Sequence, residues 1–265
     1  MIVWRDGEWL AVADISIPAD DRGFLLGDGL FETMRFQDGA LIRRAAHTER
    51  LRASCQQLAL PDLLDDFNLD EIVQALAAKN GLEKAAIRLT LTAGAGQRGL
   101  RRSRDGQVSV LLSASPLAPP AESLALSVSD IRREPSSHAA RHKTLSYIDN
   151  VAARVGAEKA GAGMALMLTS KGHLSGCDCA NVFWVSGSKL FTPSLECAVL
   201  PGISRAHLIE TMDVTQGQFE LEAVLRAEHV FVTNALMGAV GVSGIDNQVF
   251  ESSCAVLDLA KSALG

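Results

Sequence analysis

The chain has 265 residues, 48% of them hydrophobic, and its 25 basic against 31 acidic side chains leave a net charge of -6. That length supports one large domain or two modest ones, and the dispersed positive charge offers no basic face to a nucleic acid. No stretch reaches the roughly 18 apolar residues of a membrane helix, and Met1 to Leu10 sets Trp4, Arg5, Asp6 and Glu8 where a signal peptide needs an apolar core, so a cytoplasmic protein is expected. Five cysteines, an odd number, suit reduced thiols. Cys177 and Cys179 have no second pair at zinc-ligand spacing, so no metal site is expected.

In chain order, Met1 to Val12 alternates as a hairpin turned at Asp6-Gly7, and Leu30 to Arg43 repeats the pattern around Asp38-Gly39. His47 to Leu60 and Asn68 to Asn80 carry apolar residues at helical spacing, the second closed by Asn80-Gly81. Ala85 to Thr92 and Gln107 to Ala114 read as strands on either side of the glycine-rich run Ala93 to Gly99. Pro116, Pro119 and Pro120 then resist helix and sheet interior alike, which divides the chain into an α+β domain at 1–115, a linker at 116–122 and a second domain at 123–265. The second domain alternates in the α/β manner. It has a strand at Leu124 to Ile131, a helix from about Ser146 to Ala160, strands at Met164 to Thr169 and Asn181 to Val185, a helix after Pro201-Gly202 and a strand at His229 to Thr233.

Two segments are candidates for chemistry, against the plain readings of a surface lysine at a helix start and a common glycine-proline turn. Lys143, in Arg141-His142-Lys143-Thr144-Leu145, is one of few lysines and lies among cationic neighbours ahead of an apolar helix, a setting that lowers an amine pKa and favours imine formation with an aldehyde. Val199 to Arg205 supplies a tight turn into a helix, where open backbone N–H groups favour an anion. Arg50 on the His47 helix is a further phosphate-binding residue type.

Taken together and in order, these segments resemble the class IV aminotransferases along nearly the whole chain. The resemblance rests on Asp21-Arg22-Gly23 with Gly27-Asp28-Gly29-Leu30-Phe31-Glu32-Thr33, on His47 to Leu51, on Lys143-Thr144-Leu145 with Asn150, on Asn181 to Trp184, on Leu200 to Arg205 and on Thr233 to Gly238. It implies a two-domain fold type IV architecture like that of the D-amino-acid aminotransferases, pyridoxal 5'-phosphate (PLP) as cofactor, and a homodimer whose pocket is bordered by a partner loop. It implies that Lys143 carries the cofactor as a Schiff base and acts as the catalytic base. Arg50, Ile203 and Ser204, with the loop at Asn234 and Ala235, would hold the phosphate, and Leu200 would pack on the ring. Phe31, Thr33 and Arg98 would line the substrate pocket, Arg98 as partner of a substrate carboxylate. Glu32 fits either a buried partner of the site or a strand-end carboxylate.

One position departs from the family pattern. Where the family places a glutamate on the pyridine nitrogen, five residues before Asn181, this chain has Gly176. Three replacements fit the sequence: Asp178 through an altered turn, a hydroxyl such as Ser175 or a water at an unprotonated nitrogen, or a site that binds the cofactor without efficient turnover. The expected reaction is amino-group chemistry on a small amino-carboxylate, transamination with a keto acid by default. The alternative is an aminodeoxychorismate lyase that eliminates pyruvate to give 4-aminobenzoate.

Overall fold

The computed structural model describes residues 1–102 and 108–265, which fall into two compact units. The first comprises Met1–Leu117 and Lys143–Ser146, the second Ala118–His142 and Tyr147–Gly265. The second unit is therefore interrupted, and Lys143, expected within an unbroken 123–265 domain, groups with the first.

In the first unit the elements are β1 (Ile2–Arg5), β2 (Glu8–Ala11), α1 (Arg22–Leu26), β3 (Gly29–Gln37), β4 (Ala40–Leu41), α2 (Arg44–Gln57), α3 (Leu69–Lys79), β5 (Ala85–Thr92) and β6 (Ser109–Pro116). The strands form a six-stranded antiparallel sheet in the order β2-β1-β6-β5-β3-β4. Gln107, expected to open the last strand, lies outside the described residues. Pro116, assigned to the linker, instead ends β6 opposite Ala85. Period-two alternation sends Leu30, Met34, Ile87, Leu89 and Leu112 to one face, where they pack with Leu51, Leu69, Val73 and Leu76 of the two longer helices. Each such buried side chain contributes about 1.5–3 kcal/mol. Asn68 caps α3 by accepting from Glu71 N, and Asn80 at its far end exchanges two 2.8 Å bonds with the Ile2 backbone, tying the helix to β1. Phe31, Thr33 and Arg35 alternate onto the opposite face.

In the second unit follow β7 (Ser123–Arg133), α4 (His138–Arg141), α5 (Ile148–Lys159), β8 (Met164–Thr169), β9 (Leu174–Cys177), β10 (Asn181–Ser186), β11 (Lys189–Pro193), α6 (Ile203–Thr211), β12 (Val214–Gly217), α7 (Leu221–Leu225), β13 (His229–Asn234), β14 (Gly238–Ile245), β15 (Gln248–Val249) and α8 (Ala255–Leu264). Its sheet runs β12-β11-β10-β13-β14-β7-β8-β9, with β15 on β14. β7 and β8 are parallel, and α5 packs on both as their crossover. All six residues of β8 are buried, as an apolar run in mid-sheet requires. Phe183 and Phe231 stack at 5.2 Å on the side that receives Leu208 of α6 and Leu257 of α8. The fold class is α+β. Among the described residues no helix is long and apolar enough to cross a membrane.

Candidate functional site

Lys143 is held by the start of β3. Phe31 N donates to the Lys143 carbonyl at 2.9 Å, Leu145 N donates to the Gly29 carbonyl at 3.0 Å, and Thr144 bridges Leu30. The segment Lys143–Ser146 thereby extends the sheet beside β3. Glycine is needed there for space. A Cβ on Gly29 would lie 2.3 Å from the Leu91 carbonyl and 2.7 Å from Leu145 Cδ1, and one on Gly27, whose φ is +66°, would lie 2.5 Å from Ser146 Oγ. So held, the half-buried Lys143 places Nζ 4.1 Å from the centre of the Phe31 ring.

On the helix-covered face of the same strand, Glu32 is 2% exposed. Its carboxylate accepts from Arg50 Nε at 2.8 Å and Arg50 Nη2 at 2.6 Å, and lies 2.8 Å from His47 Nδ1. Burial alone raises its pKa, but the Arg50 charge and the hydrogen bonds from His47 and Arg50 outweigh burial and hold it down to about 2. Glu32 is thus a buried mid-strand partner of Arg50, and the fork-on-carboxylate geometry fixes that arginine's orientation.

The Asp21-Arg22-Gly23 motif has a mechanical role. Asp21 caps α1 through Phe24 N and also accepts from the Thr92 hydroxyl. Arg22 pairs with Asp28 and donates to the carbonyls of Gly99, Leu100 and Arg101, pinning the loop that follows Arg98. Arg98 itself is exposed in the loop that Arg22 pins.

In the second unit the turn before α6 is built on Gly202. A Cβ there would lie 1.9 Å from Asn181 Oδ1, while Asn181 Nδ2 donates to the Leu200 carbonyl. Gly202 gives α6 no side-chain cap, so the first N–H groups of the helix, those of Ile203 and Ser204 among them, have no side-chain capping oxygen among the described residues. Thr233, the register partner of Asn181, is fully buried, and its hydroxyl has no hydrogen-bond partner among the described residues. An uncapped helix start, a glycine cradle and an orphaned buried hydroxyl form a donor set that fits a phosphate. Asn234 shapes the neighbouring loop, accepting from Leu236 N and Met237 N, and Ala235 lies within that turn.

Asp178 is committed elsewhere. Its oxygens accept from Arg154 Nε and Nη2 at 2.9 and 2.6 Å and from Ala165 N at 2.7 Å, and its backbone carbonyl accepts from Asn150. With three donors on a carboxylate that is 2% exposed, Asp178 is the counter-ion of Arg154 and a strap on β8. Arg154 is correspondingly held above the ordinary arginine range by its bond to Asp178.

Sequence reading missed Arg88, whose guanidinium carbon sits 3.9 Å over the Phe31 ring shared with Lys143. The signal was present: strict alternation in β5 buries Ile87 and Leu89 and sets Arg88 opposite Thr33 on the other face. His47 was also missed as the second ligand of Glu32; a histidine three residues before Arg50 on one helix face is the pattern that could have revealed it.

An aminodeoxychorismate lyase of Bacillus subtilis (strain 168) is 28% identical over 258 residues, 92% of this chain and 87% of the relative. One from Vibrio harveyi is 30% identical over 241 residues, 86% of this chain and 87% of the relative. A T.th. branched-chain amino acid aminotransferase, solved in complex with N-(5'-phosphopyridoxyl)-L-glutamate, shares the fold with a TM-score of 0.89 at 20% identity, covering 99% of this chain and 92% of that one. The family model for amino-transferase class IV matches residues 29–245, from the glycine that receives the lysine segment to the end of β14, and the chain belongs to that family of enzymes.

Proposed function

We propose that this protein is a PLP enzyme that acts on the amino group of a small amino-carboxylate and by default transfers it to a keto acid. The observation that carries the reading is the placement of Lys143: a half-buried amine on a backbone locked to β3, 4.1 Å from an aromatic ring. The phosphopyridoxyl adduct bound by the branched-chain aminotransferase of like fold supports the choice of cofactor.

Bound PLP supplies a conjugated ring that accepts electron density from the carbon bearing the substrate amine. Lys143 holds the cofactor when no substrate is present, and its freed amine then takes the proton from that carbon and returns it. Ile203 and Ser204 offer N–H groups to the phosphate, the loop at Asn234 and Ala235 borders it, and Leu200 covers one face of the ring. Arg50 adds a charge whose direction Glu32 sets. Phe31 and Thr33 line the substrate side with Lys143. Arg98, an exposed loop residue, is assigned to pairing with a substrate carboxylate. A homodimer is part of the same reading, supported by the exposed apolar side chains of Ile148, Val151 and Val155 on one face of α5, and a cytoplasmic location is proposed with it.

A second reading, elimination of pyruvate from aminodeoxychorismate, is favoured by the names of the Bacillus and Vibrio relatives. The test is the visible spectrum of PLP-loaded protein and of Lys143→Ala, before and after D-alanine, L-leucine or aminodeoxychorismate. A band that needs Lys143 and shifts with an amino acid supports transamination, and 4-aminobenzoate release supports the lyase. A spectrum indifferent to Lys143→Ala overturns both.

A further inference from the structure

Gly176 leaves a space that is closed from one side by a guanidinium. A Cβ at this buried glycine would lie 3.6 Å from Arg133 Nη1 and 3.2 Å from the Ala180 carbonyl. Arg133, the last residue of β7, reaches past β8 to β9 and donates from Nη1 to Ser175 Oγ at 3.3 Å and from Nη2 to the Cys177 carbonyl at 2.8 Å. Those bonds anchor the group at position 176 and use two of the five N–H donors an arginine carries.

The charge of Arg133 has no carboxylate bonded to it among the described residues. Asp178, the acid nearest in sequence to Gly176, gives its oxygens to Arg154 and Ala165 N. Burial lowers the Arg133 pKa, and the surrounding Tyr147, Cys177, Asp178 and Cys179 offset this only in part. A desolvated guanidinium with donors in reserve calls for a neutral or anionic acceptor.

We propose that Arg133 is the group that meets the cofactor's ring nitrogen, donating an N–H to it where relatives of the expected pattern present a carboxylate. This rests on the PLP reading above. A ring proton beside the guanidinium would set two positive charges against each other, so the nitrogen stays an unprotonated acceptor. The ring then withdraws electrons less strongly, and proton removal from the substrate carbon depends more heavily on Lys143.

The experiment uses whole protein loaded with PLP carrying 15N at the ring position, with free PLP titrated through its ring pKa as reference. The ring-nitrogen chemical shift is read in the wild type, Arg133→Met, Arg133→Lys and the double variant Arg133→Met with Gly176→Glu. The expected wild-type resonance is that of an unprotonated pyridine, displaced in both single variants and moved to the pyridinium position in the double variant. A pyridinium resonance in the wild type, or a resonance indifferent to Arg133, overturns the proposal while leaving the cofactor reading intact. Loss of any Lys143-dependent band overturns both. The wild-type value decides alone if the variants fail to fold.

Discussion

Phe31 touches Lys143 twice, its amide holding the lysine carbonyl at 2.9 Å and its ring lying 4.1 Å beneath the lysine amine. One residue of β3 thus sets both the backbone and the head group of Lys143.

Replacement of that amine has a direct outcome. Lys143→Ala is expected to abolish the visible cofactor band and to lower turnover by about 10^3-fold or more, the scale of a lost proton-transfer group. Unchanged turnover in a steady-state assay would remove Lys143 from the chemistry.

Gly29→Ala tests the seat rather than the amine. Its new methyl meets the Leu91 carbonyl at 2.3 Å, a backbone atom that cannot step aside. The variant should lose about 1–3 kcal/mol in denaturant unfolding and bind PLP more weakly because the lysine segment is pushed off β3. Wild-type stability together with wild-type affinity would contradict this account.

Glu32 makes stability depend on acid. Its folded pKa, about 2, lies below the ordinary 4.5, so its contribution is complete above about 4.5 and disappears as pH falls toward 2. The shift corresponds to on the order of 3 kcal/mol. Urea midpoints measured from pH 6 downward should fall more steeply for the wild type than for Glu32→Gln, which starts lower and changes less.

Arg88 shares the Phe31 ring with Lys143 and carries a permanent charge. Arg88→Ala should raise KM about tenfold for donors with a second carboxylate while changing kcat little, the pattern of lost uniform binding. Equal effects on neutral and acidic donors would place Arg88 outside substrate recognition.

Thiol reactivity should be sharply divided. Cys179 is exposed, whereas Cys55, Cys177 and Cys197 are buried. Burial, with Asp62 adding to it, pushes the Cys55 thiol up to about 11, and burial raises Cys177 as well. Mass spectrometry after brief alkylation of native protein should find Cys179 modified before these three.

Much of the fold was legible because alternation is a local property. The strands Ala85–Thr92 and Met164–Thr169 lie where period and apolar runs put them. β9 and β14 were not legible, for a shared reason. Leu174–Cys177 is buried at every position and carries Gly176, and β14 contains three glycines that read as turns. The glycine at 241 is instead a packing requirement, since a Cβ there would lie 1.8 Å from the Ser252 carbonyl. The candidate site divides in the same way. The Asp21-Arg22-Gly23 and Leu200 to Arg205 motifs could be seen in sequence, but the grip of β3 on Lys143 joins residues more than a hundred positions apart. The commitment of Asp178 to Arg154 likewise depends on a helix and a turn brought together only by the folded sheet.

The first unit is made of two pieces of chain, and this governs the order in which the protein can be assembled during synthesis. In a chain that ends at Leu117, the Phe31 amide and the Gly29 carbonyl of β3 lack the Lys143–Ser146 backbone that they bond in the folded protein. That edge is capped when Lys143–Ser146 arrives from a later stretch of polypeptide. A truncated product therefore carries the open β3 edge and lacks Lys143, so closing the sheet and seating that lysine are a single event.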